Sequence, residues 1–230
     1  MTMTNVVPRG DTVLRSVLHL ADLAPNAGGY QWRLTDGAAH LHVDAPDSRP
    51  AVLLGVGAVL HHLRIALAAA GWGALISRGT TPSDPTHIAS IRAVRKQPTT
   101  EQVAMAAAIS VRTGDDADYG EAAVPWTVLN RLAAQARAEG AEMTVVLDHE
   151  TRIRMLRRTR SLRNAGVVAV IGSRPGDEVV AGAALSAVLL MGTVWGLLGC
   201  QLPVRPLLAQ QVIGPDLVPQ VVLRLGYPRT

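Results

Sequence analysis

The chain has 230 residues, of which 48% are hydrophobic and 17% are charged, with a formal charge of +4. This much apolar material can close one sizeable core or two small ones and excludes a disordered protein. Phe is absent and the aromatic share is 3%, so we expect an aliphatic core. A single cysteine, Cys200, excludes an internal disulfide and a multi-cysteine metal site. The N-terminus carries no basic-then-apolar signal peptide, which favours a cytoplasmic location.

Hydrophobic periodicity and turn signals predict two series of elements. In the first half we expect helices at residues 12–23 and 57–71 and strands at 39–44 and 87–94. In the second half we expect helices starting near residue 101 and at 126–139, 150–163 and 182–196, with strands at 143–148, 167–172 and 219–226. The uncharged run at 179–200 is long enough to cross a bilayer, but its Gly and Ala content favours a buried core helix.

The two most apolar helices repeat each other. Residues 57–71 lie over residues 182–196 at a constant shift of 125, and each segment ends in Gly. The flanking helices and strands recur in the same order, so the sequence predicts an internally duplicated α+β protein in which the two long helices pack together. We expect halves at residues 1–98 and 99–230 that fold as one cooperative domain, because about a hundred residues alone are marginal.

Four segments carry a resemblance to a known family. They are residues 24–34, the His-His-Leu-Arg helix at 57–72, residues 182–190 and the ending Leu-Gly-Tyr-Pro at 225–228. Together they resemble the Acg family of nitroreductase-like proteins. The resemblance implies a nitroreductase fold arranged as an intrachain pseudo-dimer, with FMN between the halves and NAD(P)H as reductant. Family members are usually longer, with a lid-like insertion in the second half.

The first cofactor motif of the family resembles Ala-Pro-Ser-x-x-Asn-x-Gln-Pro-Trp. This chain has Ala-Pro-Asn-Ala-Gly-Gly-Tyr-Gln-Trp at 24–32, so the resemblance assigns Asn26, Gln31 and Trp32 to FMN binding. The Pro between Gln and Trp is missing, and Gly29 replaces the family Asn. The alternative is an ordinary glycine-containing turn that leads into a strand.

The second motif resembles Arg-Thr-Asp-Arg-Arg-Pro-Phe, the phosphate-binding pattern of the family. Arg112 and Thr113 match it, and Arg229 near the end of the sequence could add a cation. The paired arginines are replaced by an acidic stretch that contains Asp115, Asp116 and Asp118. Carboxylates repel a phosphate dianion, so we expect a weakened phosphate site. The same aspartates could instead hold a hard cation, although a calcium loop needs more ligands.

The histidines offer little for metal binding. His61 and His62 point about 100° apart on a helix, which predicts one packed and one solvent-facing side chain. His40 and His42 share a strand face without a third ligand nearby in the sequence. We therefore predict no metal site, and we assign no side chain a catalytic role.

Two functions remain open. The first is an FMN-dependent NAD(P)H oxidoreductase of the nitroreductase type, in which protein side chains bind the flavin. The second is a non-catalytic relative, a pseudoenzyme that sequesters flavin or another small molecule or serves in interactions. A third alternative rests on six arginines within residues 152–163, which could bind an acidic partner, although nothing else supports nucleic-acid binding. Association of two such chains into a homodimer is left open.

Overall fold

The computed structural model describes residues 10–45, 50–79, 83–112, 119–156 and 166–229. The helices are α1 (Gly10–Ala21), α2 (Pro50–Ala69), α3 (Thr100–Val111), α4 (Trp126–Ala138), α5 (His149–Leu156), α6 (Glu178–Val194) and α7 (Pro206–Gln210). The strands are β1 (Tyr30–Thr35), β2 (Ala38–Val43), β3 (Trp72–Arg78), β4 (His87–Arg95), β5 (Glu142–Val145), β6 (Val167–Ser173), β7 (Leu198–Leu202) and β8 (Val218–Gly226).

Two four-stranded antiparallel sheets have the same strand order. The first is β1-β2-β4-β3 and the second is β5-β6-β8-β7. All strands of the first sheet precede residue 100 in the chain, and all strands of the second sheet follow it. In each repeat a long apolar helix, α2 or α6, comes between the second and third strands. The molecule is therefore an α+β protein built from two repeats of one topology, as the sequence predicts.

The helices α2 and α6 pack against each other at very short range. A Cβ atom built on Gly57 would overlap the carbonyl oxygen of Val179, and one built on Gly182 would overlap that of Leu54. The shift of 125 residues relates both pairs, so the contact has a pseudo-two-fold axis. Because Gly lacks a Cβ, the two backbones approach where any other residue would separate them.

The core is aliphatic, and both long helices are part of it. By length and composition α2 could cross a membrane, but 78% of its most apolar window is buried within the protein, as in a core helix. The helices end at Ala69 and Val194, two residues before the predicted ends, and Gly71 and Gly196 follow them with φ of 79° and 75°. The start of α2 at Pro50 is seven residues earlier than predicted, and β1, β3, β7 and α7 were missed.

The second sheet has a helical cover on the face that points away from α6. Met155 and Leu156 of α5 and Leu208 and Ala209 of α7 form a small separate core there with residues of β6, β7 and β8. Cys200 of β7 is part of this small core and is buried, which agrees with a structural thiol. The arginine-rich segment is described only as far as Leu156, so its remainder, residues 157–163, lies outside the described residues.

Candidate functional site

The loop at residues 24–29 rests directly on α2. A Cβ on Gly55 would overlap the carbonyl oxygen of Asn26, so this helix glycine allows the loop backbone to sit on the helix. Asn26 and Gly29 have φ of 60° and 71°, a left-handed conformation that Asn and Gly adopt at low cost. Nothing lies within 4 Å of a Cβ built on Gly28. The loop is therefore anchored on one side and has open backbone on the other.

Gln31 and Trp32, the residues that match the end of the first motif, lie on opposite faces of β1. The Gln31 Nε2 donates to a carboxylate oxygen of Asp44 at 3.3 Å, whereas the indole N–H of Trp32 donates to Asp22 at 3.4 Å. Tyr30 donates to the same oxygen of Asp22 at 2.6 Å. Burial and this hydrogen bond raise the pKa of Tyr30. Gln31 and Trp32 thus already have partners within the chain and do not point together.

Asn26 connects the two repeats. Its side-chain amide donates to Oε1 of Gln201 at 2.9 Å, and Nε2 of Gln201 donates back to Oδ1 of Asn26 at 3.3 Å. Gln201 belongs to β7 of the second sheet, 175 residues away in the chain. No sequence pattern pointed to Gln201, because an exposed amide in a short strand has no motif of its own.

A second meeting point, the chain-end junction, consists of Tyr119, Gly120, Gly166 and residues 226–229. The N–H of Gly120 donates to the carbonyl of Tyr227 at 2.8 Å, and Tyr119 forms an isolated bridge with Pro228. A Cβ on Gly166 would lie 2.7 Å from the Leu225 carbonyl oxygen, so this crossing also depends on glycine. The junction brings together three segments that are distant in the sequence.

One predicted phosphate-binding arginine belongs to this junction, and another precedes it along the chain. Arg112 caps the C-terminal end of α3, seven residues before Tyr119, and Arg229 directly follows Pro228. Thr113 and the three aspartates Asp115, Asp116 and Asp118 lie outside the described residues. The structure therefore places Arg112 and Tyr119, the residues on either side of the acidic stretch, but the stretch itself lies outside the described residues.

A further arginine is buried beside the junction. Arg224 of β8 is 2% exposed, and its guanidinium carbon lies 4.4 Å from the centre of the Tyr119 ring. The Tyr119 hydroxyl donates to the Arg224 carbonyl at 3.2 Å. Such stacking of a guanidinium on an aromatic face is favourable. The charge of Arg224 was not predicted, because the Arg224 position looks like any strand residue in the sequence.

The Asn26–Gln201 contact and the chain-end junction lie along the same pair of strands. Gln201 pairs with Leu223 of β8, and Leu198 pairs with Gly226. Leu223 and Gly226 are three residues apart in β8. The Asn26–Gln201 contact and the chain-end junction are therefore separated by about 10 Å along this strand.

The predicted pair His61 and His62 is entirely buried, which corrects the expectation of one solvent-facing ring. Their Nδ1 atoms lie 2.6 Å and 2.8 Å from the hydroxyl oxygen of Ser186 on α6. We call these three residues the axial cluster, because Ser186 is the residue of α6 that matches His61 under the 125-residue shift. The expectation was wrong because α2 packs against α1, α3 and α6 and leaves no face for solvent.

Burial lowers the pKa of both histidines. For His61 burial lowers the pKa well below its usual range, and the positive charge of Arg64 adds to this effect, as does His62 whenever it is protonated. For His62 the pKa falls to about 4, with burial as the main cause and Arg112 as the second. Both rings are therefore neutral near pH 7, as a buried polar cluster without a counter-ion in direct contact requires.

Among the described residues, cavities lie away from the predicted site. One, of about 180 Å³, is lined by residues that include Arg64, Trp72 and Lys96. Another, of about 210 Å³, is lined by Thr127, Val128, Arg131 and Trp195. None of the residues assigned to FMN lines either cavity, and both are smaller than typical cofactor pockets.

Comparison with known proteins points to one family. No family model matches the chain. In Mycobacterium tuberculosis, the protein named "Putative NAD(P)H nitroreductase Rv3131" is 34% identical over 155 residues, which are 63% of this chain and 44% of that protein. The protein named "Putative NAD(P)H nitroreductase acg" is 42% identical over 89 residues, which are 34% of this chain and 27% of that protein.

A solved structure shares the fold over almost the whole chain. It is described as a putative nitroreductase from Anabaena variabilis and covers 95% of this chain and 74% of its own, with a TM-score of 0.64 at 11% identity. The chain has a nitroreductase-like fold and is similar in sequence to the Acg-type proteins of M. tuberculosis. This nitroreductase-like chain spans less than half the length of the curated relatives that it matches.

Proposed function

We propose that this nitroreductase-like protein binds FMN between the loop at residues 24–29 and the chain-end junction, and acts as an NAD(P)H-dependent oxidoreductase. The observation that carries the proposal is the direct contact of Asn26 with Gln201, because it joins the cofactor loop of one repeat to the strand of the other. The names of the M. tuberculosis relatives support the activity. A cytoplasmic location, where reduced nicotinamides are available, is part of the proposal.

The described residues fit the polar ring of a flavin at the loop. The open backbone at Gly28 allows a planar ring to come close, since no side chain occupies that space. The amides of Asn26 and Gln31 supply both donors and acceptors for a ring edge that carries carbonyl and N–H groups. To contact a flavin, Asn26 must release Gln201, and Gln31 must release Asp44. Trp32 must likewise release Asp22.

The junction supplies positive charge for a phosphate. Arg112 and Arg229 would hold the dianion by charge-assisted hydrogen bonds, with Thr113 as a further donor. Arginines of the segment at 157–163 could add charge, since that segment leads into Gly166. The acidic stretch at 115–118 opposes this and predicts weaker phosphate binding than in relatives that have arginines there.

Bound FMN would supply two-electron transfer from a reduced nicotinamide to a nitroaromatic or quinone-like acceptor. In this proposal the side chains bind and orient the flavin and take no proton in the reaction. The buried axial cluster lies too deep to touch a substrate, because His61 is 2% exposed and His62 and Ser186 are 0% exposed.

The test is the visible absorption spectrum of the purified protein after incubation with FMN and desalting. We expect retained flavin bands and reduction of the bound flavin by NADH or NADPH. We expect Arg112→Ala and Arg229→Ala each to weaken FMN binding by about tenfold or more, the loss of one charged hydrogen bond. Arg137→Ala, on the exposed side of α4, is the matched control and should bind FMN as the unaltered protein does.

Riboflavin, which lacks the phosphate, separates the two ends of the site. If the junction binds the phosphate, riboflavin binds more weakly than FMN to the unaltered protein, and this difference is smaller in the Arg112→Ala variant. Equal binding of the two flavins to the unaltered protein would contradict the assignment of the arginines.

A second candidate function is a non-catalytic protein that sequesters another small molecule. It is favoured by the hydrogen bonds that already occupy Asn26, Gln31 and Trp32. A colourless protein that retains no added FMN would support it and reject the oxidoreductase.

A further inference from the structure

A group of histidines lies on the face of the first sheet that points away from the core. His40 of β2 pairs in register with Ser90 of β4, and His87 stands at the start of β4. Their strand neighbours on the opposite face, such as Leu41 and Ala89, are fully buried. His40 and His87 are partly exposed, so solvent reaches them.

A β-bulge brings His87 to this position. The register of β2 and β4 shifts between Leu41 and His42, so that His42 faces His87 and not Ile88. Bulges of this kind redirect side chains. As a result the His87 ring lies 5.6 Å from the His40 ring and 5.1 Å from the His42 ring, measured between ring centres. The sequence predicts only the pair His40 and His42, since His87 is 47 residues from His40.

The tautomer of His87 follows from its hydrogen bond. Nδ1 lies 3.0 Å from the carbonyl oxygen of Gly79, which can only accept, so Nδ1 carries the hydrogen. The Nε2 atom of neutral His87 therefore has a lone pair. This Nε2 atom lies 3.4 Å from Nδ1 of His40 and 3.0 Å from the hydroxyl oxygen of Ser90. Metal-binding histidines usually donate their second N–H to a carbonyl in this way.

The separation of the two nitrogens matches that of two ligands on one metal ion. Two imidazole nitrogens at 2.0–2.1 Å from a tetrahedral Zn²⁺ lie about 3.3 Å apart, close to the 3.4 Å between His40 Nδ1 and His87 Nε2. Without a metal, the two nitrogens are within hydrogen-bond distance of each other, and Ser90 Oγ lies 3.0 Å from each of them. Metal binding requires that His40 hold its proton on Nε2 and that the Ser90 hydroxyl, which lies 3.0 Å from both nitrogens, rotate away from them.

The turn before His87 is held in place independently of the rings. Asp84 accepts hydrogen bonds from the backbone N–H groups of Thr86 and His87, each at 3.2 Å, and from the Thr86 hydroxyl at 2.7 Å. His42 Nδ1 lies 3.4 Å from Asp84 Oδ2. These contacts fix the backbone of His87, which reduces the ordering cost of binding an ion.

We propose that His40 and His87 form a binding site for a divalent transition-metal ion such as Zn²⁺, with water completing the coordination. Within the described residues no group of three or more His, Cys, Asp or Glu side chains is arranged to hold a metal, so the site has two protein ligands. Imidazole suits Zn²⁺, Ni²⁺ and Cu²⁺ and selects against Ca²⁺ and Mg²⁺, which prefer oxygen. This proposal does not rest on the proposal that the protein binds FMN.

The test is calorimetric titration of Zn²⁺ into untagged protein in a non-chelating buffer. We expect one site, weakened at least about tenfold in His40→Ala and in His87→Ala. The exposed His19→Ala and His149→Ala are matched controls and should keep the affinity. Ser90→Ala should also keep it, because the hydroxyl is not a ligand. Unchanged affinity in both the His40 and His87 variants, or loss in Ser90→Ala, would overturn the proposal.

A second measurement needs no variant. Diethyl pyrocarbonate modifies accessible imidazoles, and mass spectrometry locates the modified residues. Saturating Zn²⁺ should protect His40 and His87 while leaving His19 and His149 reactive. Equal modification of His40 and His87 with and without Zn²⁺ would overturn the proposal even if the alanine variants fail to fold.

Discussion

The buried histidines of the axial cluster make the stability of the protein depend on pH. His61 and His62 share one hydroxyl, that of Ser186, in the contact between α2 and α6. The charged groups nearest to them are Arg64 and Glu139, which form an ion pair, and Arg112. The Glu139 carboxylate is 3.9 Å from Nε2 of His61, too far for a hydrogen bond. Protonation of either ring would therefore place a poorly compensated charge in the core.

The first prediction is a loss of stability in mild acid. The pKa of His62 is about 4 in the folded protein and 6.5 as the ordinary value, so between these pH values the unfolded chain binds more protons. Stability is then complete above pH 6.5 and falls as the pH decreases, by about 1.4 kcal/mol per pH unit for one histidine. His61 acts in the same direction. Urea unfolding at pH 7.5, 6 and 5 measures the slope.

His62→Gln should reduce this slope, whereas His19→Gln, at an exposed position of α1, should leave it unchanged. The titration of Asp84 and Asp148 does not overlap this pH range. Hydrogen bonds lower the pKa values of both carboxyl groups and move their effects on stability to still lower pH. A stability that is constant between pH 7.5 and 5 would contradict the prediction.

At the scale of elements, the contact of α2 with α6 depends on two glycines. A methyl group added at Gly57 would meet the backbone carbonyl of Val179, and one added at Gly182 would meet that of Leu54. A backbone carbonyl cannot rotate away as a side chain can. The two glycines are equivalent under the 125-residue shift, so the close contact accounts for this one feature that the two helices share.

The second prediction is that Gly57→Ala and Gly182→Ala each destabilise the protein. We expect a net loss of about 2 kcal/mol, since the overlap with backbone outweighs the better helix propensity of Ala. Gly214→Ala is the control, because nothing lies within 4 Å of the added methyl group there. Its stability should stay within about 0.5 kcal/mol of the unaltered protein. Thermal and urea unfolding measure both, and equal effects at the three positions would contradict the role of the contact.

At the scale of the whole molecule, the two repeats share one core. Residues of α1, α2, α3, α4 and α6 and of both sheets belong to a single buried cluster. The helix contact, the Asn26–Gln201 amide pair and the ion pair of Arg64 with Glu139 all join the repeats. We therefore propose that the halves at residues 1–98 and 99–230 are not independent folding units.

The third prediction concerns these halves. The full chain should unfold in one calorimetric transition, and a fragment of residues 1–98 should lack a cooperative transition. In the fragment, α2 would expose the apolar face that packs on α6, and a chain of that length has little other core. A fragment that unfolds cooperatively on its own would show that each repeat is a domain. Far-UV circular dichroism during heating is a sufficient measurement.

Sequence by itself determined the α+β class, the duplication, the two core helices and the resemblance to the Acg family. These depend on local periodicity, on glycine at helix ends and on short motifs, all of which are visible within about twenty residues. Motifs alone assigned Asn26, Gln31, Trp32, Arg112 and Thr113 to FMN, with Arg229 added as a nearby cation, and these assignments stay predictions.

Tertiary structure alone decided which distant side chains meet. Asn26 contacts Gln201, His61 contacts Ser186, and His40 contacts His87, over separations of 175, 125 and 47 residues. No periodicity encodes such pairs, because each depends on how two helices cross or how a bulge shifts a strand register. The burial of both His61 and His62 has the same origin, since the number of elements packed around a helix is a property of the assembled fold.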